Sequence, residues 1–144
     1  MFKRILFPTD FSEVSRKAMN FVKKLKDSGT REVIVFHAID SRNLEALTHY
    51  SPADLLNTET ILAKIASEET QAIAEELKQY GFTVKILIEN GIPFREILKA
   101  EDSENVSAIV IGSHGTSNIK EMFLGSVSEK VIRKAKKPVI VIKR

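Results

Sequence analysis

The chain has 144 residues, a formal charge of +3, and 43% hydrophobic against 28% charged residues, the balance of one globular domain spanning 1–144 rather than of a disordered chain. It contains no cysteine, which excludes disulfides, thiolate catalysis and cysteine-held metal. The small net charge argues against a nucleic-acid partner, no apolar run nears the roughly 20 residues of a membrane helix, and the opening Met-Phe-Lys-Arg-Ile-Leu-Phe-Pro lacks a long signal core, so no membrane partner and a cytoplasmic location are expected.

Lys3 to Phe7 reads as a short apolar strand closed by Pro8. Ser12 stands where it can cap a helix carrying Val14, Ala18, Phe21, Val22 and Leu25 on one face, with Gly29 beyond its end. Glu32 to Ile39 follows, and its unbroken Val-Ile-Val-Phe core suits a strand covered on both faces in a parallel sheet. Asp40 to about Asn57 is irregular and reads as a long loop, with room for a helical turn around Leu44 to Leu47; a lid, an interaction surface and a plain insertion all fit its length. The spacing then predicts a helix from about Glu59 to Tyr80, with Ile61, Leu62, Ile65, Ala72, Ile73, Leu77 and Tyr80 as its apolar face and Gly81 as its stop. Phe82 to Glu89 alternates, with Phe82, Val84, Ile86 and Ile88 pointing one way and Thr83 and Lys85 the other, as in an edge strand. Pro93 opens a short helix to about Ala100, Ser107 to Ile111 is a fourth strand, and a helix from Ser126 to about Lys136 precedes a last strand from Pro138 to Lys143.

Charge is unevenly spread along these elements. Thr58 to Glu104 holds five basic and ten acidic residues, a net of −5, whereas Gly112 to Arg144 holds eight basic and two acidic, a net of +6. The basic part would draw a polyanion, although Lys130, Arg133, Lys134, Lys136 and Lys137 also fit a solvated helix face and tail.

The fourth strand runs into Gly112 and Gly115, and Gly125-Ser126 opens the last helix. Glycines permit positive φ and close approach, and a helix start offers unpaired N–H groups and a positive dipole end, so the pattern suits a phosphate cradle. Ordinary turn glycines fit it too, and Ser126 with Glu129 matches the Ser-x-x-Glu capping box, which needs no ligand. Neither a P-loop G-x-x-x-x-G-K-S/T nor a G-x-G-x-x-G after the first strand is present.

Gly112-x2-Gly115-x9-Gly125-Ser126 resembles the ATP-binding signature of the universal stress protein family. Ile5-Leu6-Phe7-Pro8-Thr9-Asp10, Phe36-His37-Ala38-Ile39-Asp40 and Lys137-Pro138-Val139-Ile140-Val141-Ile142 also resemble that family's blocks, in its order, so the likeness covers the whole chain. It is nearest the subgroup that retains ATP.

The alternation by itself calls for an α/β fold, a doubly wound parallel sheet with helices on both faces and right-handed crossovers. The resemblance implies the rest of the Rossmann-like topology, a five-stranded parallel sheet in the order 3-2-1-4-5. Strands one and four are then neighbours where the winding reverses, and ligands bind in the crevice outside the strands' carboxyl ends at such a point. The resemblance implies as nucleotide contacts Pro8, Thr9 and Asp10 after strand one, Ala38 through its backbone, Ile111, Gly112, His114 and Gly115 after strand four, and Gly125, Ser126, Val127 and Ser128 at the last helix. Family members often carry valine where Ala38 stands. The expected cofactor is ATP, or AMP or ADP, with Mg²⁺ or Mn²⁺ riding on the phosphates; no pair of histidines has metal-ligand spacing.

Of the histidines, His37 fits a satisfied core residue, His114 fits a phosphate neighbour or a solvent-facing loop position equally, and His49 falls in the irregular loop. A general base for phosphoryl transfer is wanting, with Glu121 and His114 the available candidates, so hydrolysis is expected to be absent or slow without a partner. A homodimer through the apolar Val139–Ile142 edge is expected, with an unidentified protein partner as output. The alternative is a dimeric interaction module that uses no nucleotide. A phosphoacceptor receiver domain would want an acceptor Asp ending strand three, where this chain has Glu89-Asn90.

Overall fold

The computed structural model describes residues 1–42, 52–114 and 124–144. Strands β1 (Arg4–Pro8), β2 (Glu32–Asp40), β3 (Thr83–Gly91), β4 (Ala108–Gly112) and β5 (Val139–Ile142) alternate with helices α1 (Glu13–Leu25), α2 (Pro52–Gln79), α3 (Pro93–Ser103) and α4 (Ser126–Lys134). Every pairing is parallel and the strands lie in the order 3-2-1-4-5, the doubly wound α/β arrangement expected.

The two-residue period of a strand sorts the apolar runs into two cores. Ile5, Phe7, Val33, Val35, Ala108 and Val110 face α1 and α2, where they meet Ala18, Val22 and Leu77. The alternate residues Leu6, Ile34, Phe36, Ile109 and Ile111 face α3 and α4, where they meet Ile97, Ala100 and Val131. Covering on both faces is why these strands are continuously apolar, each large side chain adding about 1.5–3 kcal/mol on burial. β3 and β5 are the edges. Lys85 of β3 is exposed as the alternation requires, but Leu87 packs into the α3–α4 core from the face given to polar residues.

Local signals set most boundaries. Ser12 Oγ accepts the Ser15 N–H at 3.2 Å and caps α1, and Gly81 stops α2 by taking φ +97°, where other residues are strained. α2 departs from expectation. It starts at Pro52 rather than near Glu59, because proline is tolerated in a first turn and Asp54 suits the positive helix end. Its buried stripe is Ala66, Thr70, Ala74 and Leu77, whereas Ile61 and Ile65 are nearly half exposed and Tyr80 more than half. At 3.6 residues per turn Ile61 and Ile65 lie about 100° or more around the helix from the Ala66–Leu77 stripe, so they keep an apolar period on a side that the core does not cover. Of the irregular stretch after β2, residues 43–51, with His49 and the turn at Leu44 to Leu47, lie outside the described residues.

Two polar ties fix the amino end of the sheet. Glu101, 2% exposed, accepts the N–H groups of Lys136 and Lys137 at 2.8 and 2.6 Å and so pins the α4–β5 turn to α3. Glu104 is held by Lys85 at 2.7 Å and by Arg4 at 2.9 Å, and Arg4 also pairs with Glu32. The Lys85 ammonium first, with Arg4 beside it, holds the Glu104 carboxyl below its usual range.

Replacing Glu101 by Leu leaves the Lys136 and Lys137 N–H groups without their charged acceptor and should lower unfolding stability by about 2 kcal/mol, against about 1 for Gln, which still presents an acceptor; urea denaturation reads the difference. A carboxyl depressed on folding adds stability that is complete above its unfolded value and lost as pH falls through the folded one. Stability should therefore decline below pH 4.5, and Glu104→Gln should flatten that decline in acid unfolding curves.

Candidate functional site

The sheet opens at its centre. β1 and β4 pair only at Ile5 with Ala108 and Leu6 with Ile109, although β1 continues along β2 to Pro8 and β4 along β5 to Gly112. The cause is Pro8. Successive residues of a strand direct their backbone groups to alternate sides, and Arg4 faces β4, its carbonyl accepting the Ser107 N–H at 2.7 Å. Leu6 and Pro8 therefore also face β4, and Pro8 has no N–H to continue the ladder. The strands part at that residue.

β2 outruns β1 as well. The Thr9 N–H bonds the Phe36 carbonyl at 2.8 Å, so Phe36 faces β1, and Ala38, two residues on, faces the same way beyond the end of β1. Its N–H and C=O thus open onto the gap, while the neighbouring β2 residues continue their pairing with β3 to Asp40.

The turn from β1 into α1 is braced from within. Thr9 Oγ1 accepts the Phe11 N–H at 3.1 Å and the Ser15 hydroxyl at 2.6 Å; Asp10 Oδ1 accepts the Ser12 N–H at 3.0 Å. Asp10 itself is exposed. Phe11 takes φ +67° and stacks on His37 at 4.3 Å between ring centres. The His37 Nδ1 lies 2.7 Å from the Thr9 carbonyl; a carbonyl only accepts, so Nδ1 carries the proton and Nε2 is left as an acceptor. Burial lowers the His37 pKa below 6.5 despite that bond and the charge of Asp10, so the ring is neutral at pH 7. His37 is a satisfied residue, yet it is half-buried and stands on the wall of the gap.

On the other side, the end of β4 is locked to the start of α4. The Ser113 carbonyl accepts the Gly125 N–H at 2.7 Å and the Ser128 hydroxyl at 2.7 Å, and the Ser113 N–H bonds the Ile142 carbonyl at 2.8 Å. Ser113 Oγ lies 2.8 Å from His114 Nδ1, and His114 is buried rather than facing solvent. Gly112 and Gly125 are needed for closeness and not for positive φ. A Cβ on Gly112 would stand 2.9 Å from Val14 Cγ1, and one on Gly125 would stand 3.1 Å from the Ser113 carbonyl and 3.3 Å from His114 Cα. The helix cap is Gly125, with Ser126 the first helical residue and Glu129 paired with Arg133, which removes the capping-box reading. Among the described residues no side chain bonds the cap, which leaves the first-turn N–H groups of α4 to a ligand. Gly115 and Glu121 lie outside the described residues.

These parts surround one cavity of about 560 Å³. Pro8, Thr9, Asp10, Ala38, Ile111, Gly112, His114, Gly125, Ser126, Val127 and Ser128 all line it, so every described residue singled out in the sequence comes to the same place. The sequence did not single out Phe11, Ser15, Arg42, Pro93 and Ile97, nor Leu62, Ile65 and Ala66, which α2 brings over the carboxyl edge. The signal for Arg42 is a cation two residues past β2. It forks onto Asp40 at 2.9 and 2.7 Å and holds that carboxyl below its usual range. Among the described residues no group of three metal-ligating side chains occurs, and no helix is long and apolar enough to cross a membrane.

The universal stress protein family model matches residues 1–143. Universal stress protein MJ0577 of Methanocaldococcus jannaschii is 41% identical over 100% of this chain and 96% of its own. The solved structure of MJ0577 superposes with a TM-score of 0.92 at 42% identity over 100% of this chain and 97% of that one, and the structure of hypothetical protein PH0823 with 0.83 at 39% over the same shares. A universal stress protein family protein of Arabidopsis thaliana with AMP bound shares the fold, with a TM-score of 0.72 at 18% identity over 99% of this chain and 92% of that one. The chain belongs to the universal stress protein family.

Proposed function

We propose that the chain binds an adenine nucleotide, ATP or its di- or monophosphate, in the crevice between β1 and β4, and acts as a dimeric switch whose output is contact with a protein partner. One observation carries this: two sets of open backbone groups meet in a single cavity. The N–H and C=O of Ala38 match the ring nitrogen acceptor and amino donor on the adenine edge. Across the cavity, the first-turn N–H groups of α4, at Ser126, Val127 and Ser128, match phosphate. Asp10, exposed at the end of β1 and oriented by Ser12, suits ribose hydroxyls between them. The AMP in the Arabidopsis protein is that protein's ligand, and it is the same fold that carries it.

Gly115 belongs to this reading through the motif alone. Mg²⁺ or Mn²⁺ would be held by phosphate oxygens and water. Hydrolysis needs a positioned base. With His114 Nδ1 engaged by Ser113, cleavage would be slow unless a partner completes the site. The homodimer has its own support in β5. Ile142 bonds toward β4 and so does the Pro138 carbonyl, so Val139 and Val141 turn their backbone groups to the open edge. That edge equally supports the second reading, a dimeric interaction module with no nucleotide.

Protein purified from cells, denatured and run on nucleotide chromatography should release adenine nucleotide; protein free of it that also ignores added ATP would leave the second reading. Asp10→Ala should weaken adenosine about tenfold or more while sparing inorganic triphosphate, and Gly125→Ala should do the reverse by pushing α4 away from Ser113, both read by calorimetric titration. Val141→Pro removes an outward N–H without touching the β4 ladder, so it should dissociate the dimer in sedimentation runs while leaving a folded monomer.

A further inference from the structure

The cations of the α3–α4 layer fall into two sets. Lys99, Arg133 and Lys136 each have a carboxylate partner, Glu96 at 3.2 Å, Glu129 at 2.6 Å and Asp102 at 3.4 Å. Arg95, Lys130 and Lys134, like Lys137 in the turn after α4, have none among the described residues, and the first three lie around one ring. The Lys130 and Lys134 Nζ atoms lie 4.7 and 5.2 Å from the centre of Phe94, and the Arg95 Cζ lies 5.6 Å from it. Phe94 is half-buried, packed inward against the α3–α4 core. A ring face attracts cations, but three of them around one ring repel one another, and the carboxylates nearby, Glu96, Asp102 and Glu129, are paired with Lys99, Lys136 and Arg133.

We propose that this patch docks a carboxylate-rich segment of a protein partner, with two or three Asp or Glu side chains meeting Arg95, Lys130 and Lys134 and an apolar side chain resting on Phe94. A nucleic acid fits less well. A phosphate chain running past the patch would meet Glu96, Asp102 and Glu129 on its borders, and the net charge of +3 supplies little long-range pull. A short acidic segment ends within the patch and meets only its cations. The inference does not rest on the nucleotide reading, although α4 belongs to both surfaces: its first turn lines the cavity and its next two turns carry Lys130 and Lys134.

The test is fluorescence anisotropy with a labelled peptide of about twelve residues, Asp and Glu around a central Leu, and a labelled oligothymidylate of equal charge. The full chain should bind the peptide in the range of tens of micromolar at low salt, more weakly as salt rises. Arg95→Gln/Lys130→Gln/Lys134→Gln should lose at least tenfold, while Lys99→Gln/Arg133→Gln/Lys136→Gln, which removes as many cations from the same layer, should lose no more than about threefold. Lys130→Gln and Lys134→Gln singly, each expected to lose a few fold, make the same comparison if the triple variant melts early. Failure of the wild-type chain to bind the peptide, or equal losses in the two triple variants, would overturn the proposal. Tighter binding of the oligothymidylate, lost with the first triple, would overturn it in favour of nucleic acid.

Discussion

A missing N–H on one residue sets the centre of this molecule. β1 and β4 are held together by backbone bonds until the strand reaches Pro8, which has no donor to give, and from there each follows its outer neighbour. A parallel sheet cannot lose ladder bonds in its middle at no cost, so the parting has to be supported from elsewhere. Support comes from the β1–α1 turn, where Thr9, Asp10, Ser12 and Ser15 bond among themselves, and from Ser113, whose carbonyl holds both Gly125 and Ser128. The described part of each lip of the crevice is thus braced by its own hydrogen bonds.

Two of the groups presented to the crevice are main-chain groups. Ala38 offers a donor and an acceptor because β2 continues past β1, and the start of α4 offers donors because its cap is a glycine. The glycines there set distances. Gly112 lets α1 approach the end of β4, and Gly125 lets α4 approach Ser113. Substitutions at these glycines act through the spacing of elements, which explains why neither needs a left-handed backbone.

Much of the fold was legible before the structure, for a specific reason. The unbroken runs Ile5–Phe7, Val33–Phe36 and Ile109–Ile111 are covered on both faces, and the apolar period of α1 matches a single sheet surface, so burial and sequence carry the same pattern. Where a helix carries more apolar residues than one face can bury, the correspondence fails. Ile61 and Ile65 keep the helical period on a side of α2 away from its buried Ala66–Leu77 stripe, and which side is covered follows from how the helix sits on the sheet. Leu87 is a smaller case, an apolar residue on an edge strand whose packing depends on α3 and α4.

By itself the sequence determined the elements, their alternation, the caps at Ser12 and Gly81, and the pieces of the crevice, because each is decided by a few neighbouring residues. The order of the strands and the contacts implied for Ala38 and Asp10 came from likeness to a family. Only the tertiary structure decided that Gly112 is a packing glycine against Val14, that His114 is buried beside Ser113, that α2 roofs the cavity with Leu62, Ile65 and Ala66, and that three cations with no carboxylate partner among the described residues meet around Phe94. Each of those facts joins residues from different elements, and the distance between two elements is fixed by how the whole sheet and its helices pack, which no local pattern of residues encodes.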